Sequence, residues 1–244
     1  SIYLRRFLQE TPVFKKMRES KALAKFPLEE VVKTSRFGIW ISMFITWVLT
    51  GCIVVFILLM PGFVGGVLGF SPFETTYFQM GGLVCIVSSC WLTGRLADKH
   101  NPSTLCILFS AGFAVSSVAF FSLLYTAAPV VSEVVLAYFA TCFFAGIMNF
   151  CPIFMCDVFP ARIRFSGISF AYNIAYALSG AFTPQLSFAL HAYAKTHPDT
   201  LGAMGLSAYI VFLALVSIGT ALAMRRVYKN GGAAVSQMEF RPAP

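Results

Sequence analysis

Residues 37–60 read FGIWISMFITWVLTGCIVVFILLM, twenty-four residues without one Asp, Glu, Lys or Arg. As an α-helix this stretch is about 36 Å long, enough to cross the roughly 30 Å hydrocarbon core of a bilayer. Five further charge-free runs occur: Thr75–Gly94, Ser103–Ala128, Val134–Cys156, Phe165–Leu190 and Thr200–Met224. Backbone amides have no water to bond in lipid, so runs of this length and apolarity must be helical. None shows the alternation over about ten residues that a barrel strand requires. One such run could be the buried helix of a soluble core. Six in series, with little polar sequence between them, need more apolar cover than a domain of this length can supply. The fold class is all-α integral membrane, with six transmembrane helices.

Composition agrees. The 244 residues are 58% hydrophobic and 11% charged, against about a quarter charged in soluble domains. A disordered chain, a coiled coil and a disulfide scaffold are excluded, and a water-soluble enzyme is argued against. The domain reading is a linker with amphipathic helices at 1–36, a six-helix bundle at 37–224 and a tail at 225–244. In the linker, Thr11-Pro12 offers an N-cap followed by Pro at the first helical position.

The cations orient the bundle. Seventeen of the eighteen Lys and Arg lie before the first run, in the second and fourth connections, or in the tail; only Lys195 lies in the other connections. The positive-inside rule then places both termini in the cytoplasm. The net charge of +8 is an orientation signal, so no nucleic-acid partner is inferred. The seven cysteines fall within the runs and form no CxxC, which reads as small buried hydrophobes. His100, His191 and His197 sit in connections, and neither HExxH nor GxSxG occurs. No enzyme activity, metal site or cofactor is therefore expected.

Uncharged polar residues inside the runs each need a partner or a wet face. Trp47 and Thr50 share a helical face in the first run, and Asn173 and Tyr176 lie in the fifth. Taken alone, each is either interhelical glue or a ligand contact. No Asp, Glu, Lys, Arg or His lies in the middle of any run, so a titratable coupling group is expected elsewhere, in an amino-terminal half.

Two connections carry motifs. The second reads Gly94-Arg95-Leu96-Ala97-Asp98-Lys99-His100-Asn101-Pro102, and the fourth begins Asp157-Val158-Phe159-Pro160-Ala161-Arg162-Ile163-Arg164-Phe165-Ser166-Gly167-Ile168-Ser169, with Tyr172-Asn173 close behind. The first resembles the GxxxD(R/K)xG signature of the major facilitator superfamily, with Asn101 in place of the second Gly; Asn tolerates the left-handed backbone that Gly would supply. The second is similar to the junction of helices 10 and 11 in the metabolite:proton symporter branch, with Asp157 where Glu is usual. Leu4 to Phe14 also resembles the segment after helix 6 in that branch.

The resemblance implies that this chain is helices 7–12, the carboxyl half of a twelve-helix carrier built on 3+3 inverted repeats, a fragment or processed piece of such a protein. Its partner would be the amino-terminal six-helix half. The implied function is secondary transport of a small polar metabolite, a carboxylate or zwitterionic osmolyte, with H+ symport by alternating access in a bacterial inner membrane. It also implies that helices 7, 8, 10 and 11 line the cavity, making Trp47, Thr50, Asn173 and Tyr176 the candidate substrate contacts. Gly94, Asp98, Lys99, Asp157, Arg162 and Arg164 would form the conformational switch, the arginines pairing with Asp157 or the Asp98 loop. The alternative reading is a stand-alone six-helix channel or membrane partner subunit.

Overall fold

The computed structural model describes residues 27–126, 128–197 and 200–229, and every element in it is a helix. Thr11-Pro12, the rest of 1–26 and the tail beyond 229 lie outside the described residues. A short helix, α1 (Pro27–Thr34), precedes six long ones: α2 (Arg36–Leu68), α3 (Pro72–Ala97), α4 (Pro102–Leu124), α5 (Val131–Val158), α6 (Ala161–Thr196) and α7 (Thr200–Lys229). The starts arise from local chemistry. Pro72 and Pro102 sit at first-turn positions where no N–H is needed. Ser71 and Glu74 close a capping box over α3, and the Asn101 side chain accepts from the Ser103 N–H at 2.9 Å to cap α4.

Among the described residues, α2, α3, α4, α5 and α7 are long and apolar enough to cross a membrane. The fifth run of the sequence lies within α6. At 36 residues that helix has ample length, but its Ser, Tyr, Asn, Gln and Thr side chains make it too polar to qualify on composition. The six expected spans thus become five by apolarity, with α6 as the exception.

The first run does not stop at Met60. Its helix continues to Leu68 and ends at Gly69, whose φ of 70° is the left-handed cap conformation glycine adopts without strain. The sequence placed a connection from Met60 to Glu74; the joint is only residues 69–71. The helix passes Pro61 by widening into π geometry over Ile53–Leu59, where the Met60 N–H bonds back to the Val55 carbonyl. Pro61 has no N–H to offer the carbonyls of Phe56 and Ile57, one π or α turn back. Each accepts a side-chain donor from a neighbour. Tyr138 Oη of α5 donates to the Phe56 carbonyl at 2.9 Å, and Gln79 Nε2 of α3 donates to the Ile57 carbonyl at 2.8 Å.

Around this break the core is aromatic: Phe56 meets Phe113, Phe120 and Phe121 of α4, and Phe78 stacks on Tyr138 at 4.0 Å. At the end of the bundle away from most cations, Tyr125 Oη and His191 Nδ1 lie 2.5 Å apart while the imidazole stacks on Phe63 at 4.0 Å. That cluster ties together the ends of α2, α4 and α6. At the basic end, fully buried Phe159 fills the space between α2 and α6: a Cβ on Gly38 would come within 2.9 Å of its ring, and one on Gly167 within 2.6 Å. Val31 of α1 and Ile163 of α6 complete that cluster. Of the seven cysteines four are buried, two are half-buried and Cys156 is exposed, a departure from the all-buried expectation.

Tyr138→Phe should cost about 1–2 kcal/mol, because it orphans a carbonyl that has no other donor at hand. That exceeds the ~0.6 kcal/mol average for hydrogen bonds between membrane helices. Thermal unfolding of the purified protein in detergent measures the difference.

Candidate functional site

Trp47 lies on α2 facing α6 and α7. Its indole N–H donates to Tyr209 Oη at 3.3 Å, Tyr209 Oη pairs with Thr183 Oγ1 at 2.7 Å, and the Ser179 hydroxyl donates to the Trp47 carbonyl at 3.5 Å. Phe182 of α6 meets the indole edge-on, ring centres 6.0 Å apart. These contacts form a polar node that locks three helices together within an otherwise apolar layer. Thr50 is fully buried one turn on, its hydroxyl donating to the Thr46 carbonyl at 2.9 Å.

Asn173 and Tyr176 are placed differently. Both are exposed on α6; the Asn173 amide donates to the Ser169 carbonyl of its own helix at 2.7 Å, and Tyr176 stacks on Tyr172 at 5.5 Å. Among the described residues no hydrogen bond or ring contact joins the α2 pair to the α6 pair. Of the four candidates, then, Asn173 and Tyr176 present free surface, Trp47 is half-buried in the node, and Thr50 is enclosed.

At the basic end, Gly94 faces the side chain of Asn149, which enters from the tight 3-10 turn (Ala145–Asn149) that interrupts α5. Asn149 Nδ2 donates to the Cys90 carbonyl and to Thr93 Oγ1, both at 3.2 Å, and a Cβ on Gly94 would lie 3.4 Å from it. Asp98 and Lys99 are exposed in the turn beyond. Asn101 does not adopt the expected left-handed backbone. Its φ of −61° and ψ of 117° are extended, because its side chain is capping α4.

The expected pairing is revised for one of the two switch arginines, Arg162. Asp157 accepts a hydrogen bond from Tyr228 of α7, and Arg162 forms an ion pair with Glu30 of α1. Arg164 Nε donates to the Phe159 carbonyl at 3.0 Å. Glu30 reaches Arg162 because Val31 is anchored beneath Phe159, which draws α1 against the start of α6. Sequence reasoning missed Tyr209, Thr183, Tyr228 and Glu30. The signal for Tyr209 was present, since a tyrosine inside an apolar run needs a partner for its hydroxyl; which partner is a matter of helix packing.

Residues 2–184 match the sequence profile of the Major Facilitator Superfamily. The chain belongs to that superfamily. It is also similar to the inner membrane metabolite transport protein YhjE of Escherichia coli (strain K12), with 27% identity over 219 residues that cover 84% of this chain and 46% of the relative. The chain therefore spans about half the length of the curated relative it matches. No solved structure matches it. For this superfamily member the matched region includes both motif-bearing connections and the positions Trp47, Thr50, Asn173 and Tyr176.

The Glu30–Arg162 pair is partly shielded, with side chains 24% and 32% exposed. Glu30→Gln and Arg162→Gln should each destabilise the purified protein, and the double variant should lose less than the sum, leaving a coupling of about 0.5–1 kcal/mol. A double-mutant cycle from thermal or denaturant unfolding reads this; additivity would show that the pair is not formed.

Proposed function

We propose that this chain is the carboxyl half of a secondary active transporter for a small polar metabolite, working by alternating access against an amino-terminal six-helix half. The observation that carries the reading is α6: a helix of membrane-spanning length with Asn173, Tyr176 and Gln185 exposed along it. In lipid such a surface is costly, whereas facing a water-filled cavity it is solvated and can contact substrate. On this reading α6 is the sixth span, its polarity being the mark of a cavity wall. Membership in the superfamily and a relative named as a metabolite transport protein support it.

Trp47, Asn173 and Tyr176 are the substrate contacts of this half; Thr50, enclosed with its hydroxyl on the Thr46 carbonyl, stands behind the cavity wall. The exchange of contacts among Gly94, Asp98, Lys99, Asp157, Arg162 and Arg164 biases one conformation over the other. Both termini lie in the cytoplasm on this reading, which the distribution of Lys and Arg supports, and the membrane is the inner membrane of a bacterium. Proton symport is the coupling mode. The mid-membrane stretches of this half carry no carboxylate, so the coupling residue belongs to the amino half. The substrate is a carboxylate or a zwitterionic osmolyte.

Uptake by the full-length protein in proteoliposomes, across carboxylates, betaines and sugars and with or without an inward pH gradient, tests the function. One class should accumulate only when the gradient is imposed. Asn173→Ala and Tyr176→Phe should each raise KM for that substrate about tenfold, the equivalent of one lost contact of roughly 1.4 kcal/mol, with expression unchanged. Unaltered KM in both variants would remove α6 from the site.

A further inference from the structure

Between α2 and α7, toward their basic ends, a groove of about 390 Å³ is open to the surroundings. Phe37, Trp40 and Phe44 form one wall, and Val216, Gly219 and Ala223 contribute to the other. Trp40 and Phe44 stack on each other at 5.8 Å yet remain 58% and 43% exposed. The bundle therefore leaves a large apolar surface uncovered here. The floor is open as well, since a Cβ on Gly219 would meet nothing within 4 Å. Thr220 gives its hydroxyl to the Ser217 carbonyl at 2.8 Å, which leaves the Trp40 indole N–H as the lining's free hydrogen-bonding group.

Its mouth is the opposite in character. Arg36 lies one helical turn before Trp40, and Arg226 lies three residues beyond Ala223, so each continues the stripe that forms a wall. Both arginines are exposed. Among the described residues neither has a carboxylate partner, whereas Lys33 pairs with Glu29 and Arg162 with Glu30. Two cations above an apolar slot, with a tryptophan just below them, match the layers of a phospholipid leaflet: phosphate, interface, acyl chain. From Phe37 to Phe44 the wall rises about 10 Å, the depth of the upper part of one acyl chain.

We infer that this groove is a binding site for an anionic diacyl phospholipid, its phosphate held by Arg36 and Arg226 and one acyl chain laid along Phe37, Trp40 and Phe44. The inference depends on the helices lying in a membrane and is independent of any transported substrate. A lipid seated here spans α2 and α7, so it adjusts how freely α2 moves against the rest of the bundle.

Native mass spectrometry of the full-length protein, released from detergent micelles doped with either phosphatidylglycerol or phosphatidylcholine of identical chains, tests the site without reference to uptake. A cation near the headgroups contributes about fivefold, so the pair should favour phosphatidylglycerol roughly twenty-five-fold. The R36Q/R226Q variant should bind the two lipids within about twofold of each other, and R36K/R226K should keep the preference. Gly219→Leu adds an apolar side chain where a Cβ meets nothing within 4 Å and should lower retention of both lipids. Equal retention by the unaltered protein, or a preference that survives R36Q/R226Q, overturns the assignment and leaves the groove as a seat for another part of the protein.

Discussion

Inside a bilayer every backbone amide and carbonyl must find its partner within the protein, and no feature of this fold escapes that requirement. It makes the long charge-free runs helical, and it governs the one place where a helix is broken most severely. At Pro61 two carbonyls of α2 lose their usual donor, and Tyr138 and Gln79 supply replacements. Those two bonds fix where α3 and α5 sit against α2. The aromatic core around Phe56, Phe113 and Phe120 then packs on a backbone whose position is already determined. The same demand shows in two groups of polar side chains that gather in nodes. Trp47, Tyr209 and Thr183 satisfy one another across three helices, and Asn149 reaches the Cys90 carbonyl and the Thr93 hydroxyl.

How much of this can be read from the amino-acid order alone depends on the range of the interaction. The helical class comes from apolar runs, which are local. The stop at Pro160, which becomes the residue before α6, is local in the same way, whereas Asn101 read as a left-handed turn and the structure makes it a cap. The overrun of α2 past Met60 is not local in the same sense. A proline normally marks a boundary, and here the helix survives it because donors from two other helices arrive at the right height. Sequence spacing carries no record of that. The revised partners of Asp157 and Arg162 have a similar origin: Tyr228 lies 71 residues from Asp157 and Glu30 lies 132 from Arg162, and only the packed bundle brings each pair together. Motif residues were legible as residues, but their contacts were not.

The candidate substrate contacts divide along the same line. Trp47 and Thr50 stood out as polar groups in an apolar helix, and the bundle uses both internally, through Tyr209 and through the Thr46 carbonyl. Asn173 and Tyr176 stood out for the same reason and remain on an open face. A polar residue in a membrane helix announces that it needs a partner; whether that partner is another helix, water or a ligand is decided by orientation, which periodicity gives only for a helix whose buried side is already known. The polarity of α6 is what separates it from the five more apolar helices, and it is also the feature on which a cavity wall depends.

Whether α6 crosses the membrane is therefore the pivotal question, and fusion reporters answer it. An enzyme that is active only outside the cytoplasm is fused in turn after Lys99, Thr126, His197 and Lys229. Six spans with a cytoplasmic basic face predict activity after Thr126 and His197 and silence after Lys99 and Lys229. Silence after His197 together with activity after Lys229 would place α6 on one side of the membrane and contradict the account.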